Sequence, residues 1–173
     1  MATPDRLLDA AFAVCVERGV DALTLAEVAM RAGVTANAVY KHFDSKAALL
    51  VATAKRALGS LPPDDRTLDP PDRARALMRA FLSPSAVSVR RFMAELAAAA
   101  PRHDDLLELM GDWNDETLAG WPAVTGTAAG RAKVKALYVL LLGACQLEAL
   151  SGIDTAPRGP ARMLEDAAAG LFT

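Results

Sequence analysis

From Thr35 to Lys46 the chain sets out a hydroxyl, an amide, a phenol, an imidazole and two ammonium groups, on Thr35, Asn37, Tyr40, His42, Lys41 and Lys46. Such groups donate hydrogen bonds or carry positive charge, which is what phosphate oxygens and the acceptor edges of bases receive. Val39 and Phe43 lie four residues apart, so on a helix they share an inner face. Thr35, Ala36, Asn37, Tyr40 and Lys41 are then left pointing outward. A face with an amide, a phenol and an ammonium suits a major groove lined by bases and phosphates. Covalent or metal chemistry finds little support. His42 and His103 are the only histidines, and there is no nucleophile elbow, phosphate-cradling glycine loop or metal-ligand cluster. His103-Asp104-Asp105 offers too few ligands at suitable spacing and reads as a helix start. An enzyme is not expected, and neither is a metal or a cofactor.

Short helices must position these groups. Thr24 stands where an N-cap belongs and Glu27 completes a capping box, fixing the start of one helix. Val28 and Ala29 face inward, and the small Ala29 lets a second helix approach. Gly33 falls at the turn, where a left-handed backbone is cheap only for glycine. Val34 anchors that turn and Thr35 caps the second helix. Each helix is about two turns long and must be packed to be stable. Two such helices joined by a tight turn, with a third starting at once, have the grammar of a helix-turn-helix DNA reader. Before them, Thr3-Pro4 opens a first helix with an inner stripe of Leu8, Ala11, Phe12 and Cys15, which Gly19 stops. After them, a fourth helix is predicted from about Ser45 to Leu58, with Leu49, Leu50, Thr53 and Ala57 inward.

Tyr40-Lys-His-Phe-Asp-Ser-Lys46, following Ala32-Gly-Val-Thr35, resembles the DNA-binding signature of the tetracycline-repressor (TetR) family. Leu7-Leu-Asp-Ala-Ala-Phe12 and Gly19 also fit that family's first helix and its end. The resemblance covers roughly the first third of the chain, and its elements occur together in order. It implies that Tyr40, His42 and Lys46 touch the phosphate backbone, with Thr24 doing so near the start of the first reader helix. Lys46 follows Asp44-Ser45, so its ammonium and the free amides of that helix start can grip one phosphate together. Thr35, Ala36, Asn37 and Lys41 become the candidates to reach base edges. Asn37 departs from the family, which often has glycine or another small residue there. An amide can pair two-pronged with adenine, which makes Asn37 the first candidate for base readout; a capping or solvated amide is the alternative.

Bulk properties agree with packed helices. The 173 residues are 53% hydrophobic and only 5% aromatic, and the mean hydropathy is +0.19. Such a composition favours helices over sheets. Residues 1–60 hold seven Lys/Arg against six Asp/Glu and the remainder twelve against fifteen, so the segments carry +1 and −3 of the net −2. A bias this slight argues for a few well-placed phosphate contacts rather than a non-specific coat. Cys15 and Cys145 lie far apart in apolar surroundings without metal or redox spacing, and read as reduced core residues of a cytoplasmic protein. The apolar run from Ala136 to Cys145 is too short to cross a bilayer, so it reads as a buried helix and no membrane partner is expected.

The expected fold is all-α, with a three-helix DNA-binding domain and connecting fourth helix over 1–58, a Pro-, Gly- and Asp-rich linker over 59–71, and a helical ligand-binding and dimerisation domain over 72–173. Helices are predicted near 71–82, 86–100, 103–119, 128–151 and 160–172, separated by Ser83-Pro84, Pro101, Trp121-Pro122 and Pro157 to Pro160. Met78, Phe81, Phe92, Met93, Leu96, Leu106, Met110, Trp113, Trp121, Tyr138 and Leu142 could line a common interior. By the family resemblance that interior holds a small apolar effector; a solid core is the alternative. Gln146, a polar amide on an apolar helix, either orients an effector or bonds across a subunit interface. Asp112, Asp115 and Glu116 either meet a cationic ligand or form a solvated face. The last two helices read as a dimer surface: Leu140, Gly143, Ala144 and Leu147 on one, Met163, Leu164, Ala167 and Leu171, with Phe172, on the other. In the family such helices pair into a four-helix bundle. The resulting expectation is a transcriptional regulator, acting as a repressor that binds a palindromic double-stranded DNA operator as a homodimer and leaves it on binding an effector. A dimeric regulator without an effector, and an activator, remain alternatives.

Overall fold

Local chemistry sets the helix starts of the first unit. The computed structural model describes residues 4–149 and 158–173, with backbone alone at 147–149 and 158–160. Helix α1 spans Pro4–Arg18 and α2 Leu25–Ala32. The Thr24 hydroxyl oxygen accepts the Glu27 amide at 3.2 Å, so the predicted cap is in place. The return half of the capping box is absent. The Glu27 carboxylate accepts from Arg18 at 3.2 Å and from Arg31 at 3.1 Å, and Arg31 also reaches Glu17 at 2.7 Å. An arginine cluster between two helices outcompetes a neutral backbone donor because charged hydrogen bonds are the stronger.

Gly33 ends α2 with φ at 69°, and the amides of Gly33 and Val34 close back on Met30 and Ala29. This is a Schellman-type stop. Arg6 adds a 2.7 Å bond to the Ala32 carbonyl. Helix α3 is one short turn and a half, Ala36–Tyr40, capped by Thr35, and α4 runs Lys46–Gly59, capped by Ser45. Leu7, Ala11, Val14, Val28, Val39, Leu49, Leu50 and Ala54 are buried between these helices. The buried stripe of α1 therefore runs through Leu7, Ala10, Ala11, Val14 and Cys15, whereas Leu8 and Phe12 are only half-buried. Thr3, the predicted first cap, lies outside the described residues.

Beyond α4 the helices are α5 (Pro70–Leu82), α6 (Val87–Ala99), α7 (Asp104–Ala119), α8 (Pro122–Thr125), α9 (Ala128–Ala149) and α10 (Arg158–Gly170). Among the described residues there is no strand, and the all-α expectation holds. The chain forms two compact units: everything through Ser60 together with Phe92–Asp112, and Leu61–Arg91 together with the described residues from Trp113 onward. Helices α6 and α7 each contribute residues to both.

In the second unit Ala74, Met78 and Leu82 of α5 pack with Trp121, with Val134, Leu137 and Ala144 of α9, and with Ala168 of α10. Arg79 and Arg75 pair with Glu165 and Asp166 along the α5–α10 contact. Asp69 caps α5 and Pro70 occupies its first turn. The Trp121-Pro122 break holds the short α8, because Pro122 at a first helical position starts a turn as readily as it ends one. A Cβ on Gly130 would stand 1.7 Å from the Val124 carbonyl oxygen, so only glycine lets α8 fold down onto the start of α9.

Candidate nucleic-acid interface

Helix α3 is held from beneath and open above. Val39 is fully buried and anchors it. Thr35, Ala36, Asn37, Tyr40, Lys41 and His42 are all exposed, Tyr40 by 57% for a large aromatic. Thr35 accepts the Ala38 amide at 3.3 Å, so the capping position belongs to Thr35 and not to Asn37. Among the described residues, the side chains of Asn37, Tyr40, Lys41 and His42 have no hydrogen-bond or ion-pair partner. The donors of the amide, phenol and ammonium are therefore presented to solvent together. Thr24 and Thr35 use a lone pair for capping, which leaves each hydroxyl hydrogen free to donate outward.

The other cations of this unit are mostly engaged. Arg18 and Arg31 serve Glu27 and Glu17, Arg6 serves Ala32, and Arg56 is held by Asp5 and Asp9. The bond from Arg31 holds the Glu17 carboxyl below the usual carboxylate range. Lys46 differs from the α3 residues. Half-buried at the first position of α4, it donates from Nζ to the Asp21 carbonyl oxygen at 3.3 Å. Ser45 takes the Ala48 amide at 3.0 Å, leaving the amides of Lys46 and Ala47 without an intrahelical acceptor.

The residues predicted to line an effector pocket are drawn from both compact units. Met78, Phe81, Trp113, Trp121, Tyr138, Leu142 and Gln146 belong to the second unit; Phe92, Met93, Leu96, Leu106 and Met110 belong to the first. Phe92 packs edge-on against Phe12 with centroids 5.4 Å apart. Met78 and Trp121 are core residues. Trp121 stacks on Phe172 at 5.1 Å and carries the Arg73 guanidinium on its ring at 3.8 Å. Arg73 also bonds both Asp64 oxygens and the Gly120 carbonyl. Leu142 and Gln146 are exposed. Asp112, Asp115 and Glu116 are exposed too.

Of the predicted dimer residues, Gly143, Met163 and Ala167 are exposed, Met163 by 73%. Leu140, Leu164 and Leu171 are partly buried against their own core, and Ala144 is inside it at 2%. The Leu147 side chain lies outside the described residues. On α9 the outward apolar side chains among the described residues are Val139, 67% exposed, and Leu142, with Gly143 and Gln146 alongside.

Both thiols are buried, which pushes Cys15 and Cys145 up to about 12. No helix among the described residues is long and apolar enough to cross a membrane, and no group of His, Cys, Asp or Glu among them is arranged to hold a metal.

Comparison with known proteins agrees with this geometry. Residues 7–53 match the model of bacterial regulatory proteins of the tetR family. The chain is 29% identical over 167 residues to the transcriptional regulator BetI of Rhizobium meliloti (strain 1021), an alignment covering 96% of this chain and 72% of that protein. In fold it is similar to a transcriptional regulator from Rhodococcus sp. Rha1, with a TM-score of 0.74 and 24% identity, covering 98% and 95% of the two chains. It is also similar to the multidrug binding protein EbrR, solved with imidazole, with a TM-score of 0.67 and 23% identity over 98% and 89%.

Proposed function

Because the chain belongs to the TetR family of helix-turn-helix transcriptional regulators, we propose that it acts as a repressor, binding a palindromic operator as a homodimer and leaving it when a small apolar molecule binds the rear helices. The observation that carries this reading is the outward face of α3, where Asn37, Tyr40 and Lys41 stand exposed and without partners. In the proposed complex Asn37 pairs with an adenine edge, and Thr35, Ala36 and Lys41 lie against neighbouring bases. Tyr40, His42 and the Thr24 hydroxyl bond phosphates, and Lys46, keeping one of its three donors on the Asp21 carbonyl, reaches another with the remaining two.

Two readers must meet half-sites about 34–36 Å apart, so the function needs a dimer. The exposed apolar residues Val139, Leu142 and Met163, with the small Gly143 and Ala167, support α9 and α10 as the joining surface. Support for an effector comes from the family and from EbrR's multidrug binding. Its site would lie in the helical part over 72–173, with the reader over 1–58 and 59–71 as the connection. The linkage is reciprocal, so operator DNA lowers effector affinity by the same factor.

Selection of bound sequences from a random duplex pool tests the reading. Enrichment of a palindrome with two half-sites one helical turn apart is expected. A folded protein that enriches nothing, or enriches an unpaired site, would sink it. The effector is sought separately by thermal shift against small apolar compounds, since a ligand that binds only the folded state raises the midpoint.

A further inference from the structure

Asp21, in the turn between α1 and α2, is held from three elements at once. Its carboxylate accepts from Arg102 Nη2 at 2.8 Å and meets His103 Nε2 at 3.3 Å. Its backbone carbonyl accepts from Lys46 Nζ at 3.3 Å. Arg102 and His103 form the corner between α6 and α7, and Arg102 is itself steadied by a 2.6 Å bond to the Ala98 carbonyl at the end of α6. The Asp21 turn is seated closely on α6, since a Cβ on Gly19 would stand 3.1 Å from Glu95 Oε2. Asp21 thus ties the corner of the two helices shared by both units to the first residue of α4.

We propose that Asp21 is a positioning residue, and that its grip by Arg102 and His103 is the contact through which the α6–α7 corner fixes the α1–α2 turn and, with it, Lys46 at the phosphate-facing start of α4. The effect on DNA rests on the operator-binding reading above. Withdrawal of the corner frees the turn, and the carbonyl that aligns Lys46 moves with it. Each bond is solvent-exposed and weak alone, so the effect is one of alignment and not of global stability.

The groups facing Asp21 are Arg102 and His103 from the corner and Lys46 from α4, while Glu95 of α6 lies against Gly19. Bonds from His103 and then Arg102 hold the Asp21 carboxyl below its usual range.

The test compares wild type with Asp21→Asn, with Arg102→Gln, and with the exchanged pair Asp21→Arg with Arg102→Asp. Two quantities are measured: hydrogen exchange at residues 19–24 and 46–48, and affinity for the selected duplex. Asp21→Asn and Arg102→Gln are expected to speed exchange in both segments and to weaken binding about two- to fivefold. The exchanged pair should restore protection. Unchanged exchange in Asp21→Asn overturns the proposal whether or not DNA binds. Faster exchange with no DNA binding even by wild type would leave the positioning contact standing and refute the operator reading instead. Faster exchange in Asp21→Asn with unaltered operator affinity would overturn the claim that the contact reaches Lys46.

Discussion

Asn37 and Lys46 illustrate two kinds of proposed contact at the residue scale. The Asn37 amide is exposed, relieved of capping by Thr35 and without a partner, so Asn37→Ala is expected to relax preference at one base pair by about 1–3 kcal/mol. Titration of duplexes mutated one pair at a time reads this directly. Lys46→Ala removes a cation from a phosphate and should weaken all sequences alike, reducing the salt slope by about 0.9. Equal losses on every duplex for both variants would mean that Asn37 reads no base. Carboxylates add a pH dependence. Glu17 and Asp21 are held below their ordinary range by Arg31 and by His103 with Arg102. Their contribution is therefore complete above the ordinary carboxylate range and is lost as pH falls through it. Thermal midpoints should drop between pH 6 and 3, and less steeply in Glu17→Gln. The type and order of these side chains were legible in the sequence. The partners of Lys46 and Glu27 were not, because Asp21 and Arg18 reach them across turns and neighbouring helices and leave no local spacing to read.

At the scale of elements, caps and breakers carried most of what could be foreseen. Thr24, Thr35 and Ser45 each cap the helix that begins after them. Thr24→Ala should cost about 1 kcal/mol in urea unfolding. Predicted helices over 71–82, 103–119 and 128–151 correspond to Pro70–Leu82, Asp104–Ala119 and Ala128–Ala149. Three elements escape prediction because a proline that ends one helix can also start the next turn: α8, and the 3-10 turns over Pro84–Ala86 ahead of α6 and Ala100–Arg102 after it. Gly130 gave no periodic signal either, since its role is to admit the Val124 carbonyl from a neighbouring helix. Gly130→Ala should destabilise the second unit by about 1–3 kcal/mol or more through this overlap, read as a lower urea midpoint at unchanged slope. The frame error in α1, where Leu7 and Val14 are buried and Leu8 and Phe12 only partly, has a related cause. Alanine-rich helices are apolar enough on several faces that only the neighbours decide which one is covered.

For the whole molecule, the reader was the more legible part; behind it the helices could be placed, but not which faces they cover. A short constellation of capped helices has few ways to pack, whereas Met78, Trp121 and Phe92 could equally have lined a cavity or filled a core. Met78 and Trp121 fill one, and Phe92 packs on Phe12 in the other unit. The proposed dimer surface carries its own prediction. Val139→Glu or Met163→Glu would bury two unpaired carboxylates at a two-fold interface, so sedimentation should show a monomer that keeps its helical content. The central claim is that two copies of this chain read one palindrome, and its most direct test is a titration of the selected operator and of a duplex holding one half-site. The account predicts two protomers per palindrome and binding to the half-site weaker by at least about a hundredfold. One protomer per duplex, with equal affinity for both, would contradict it.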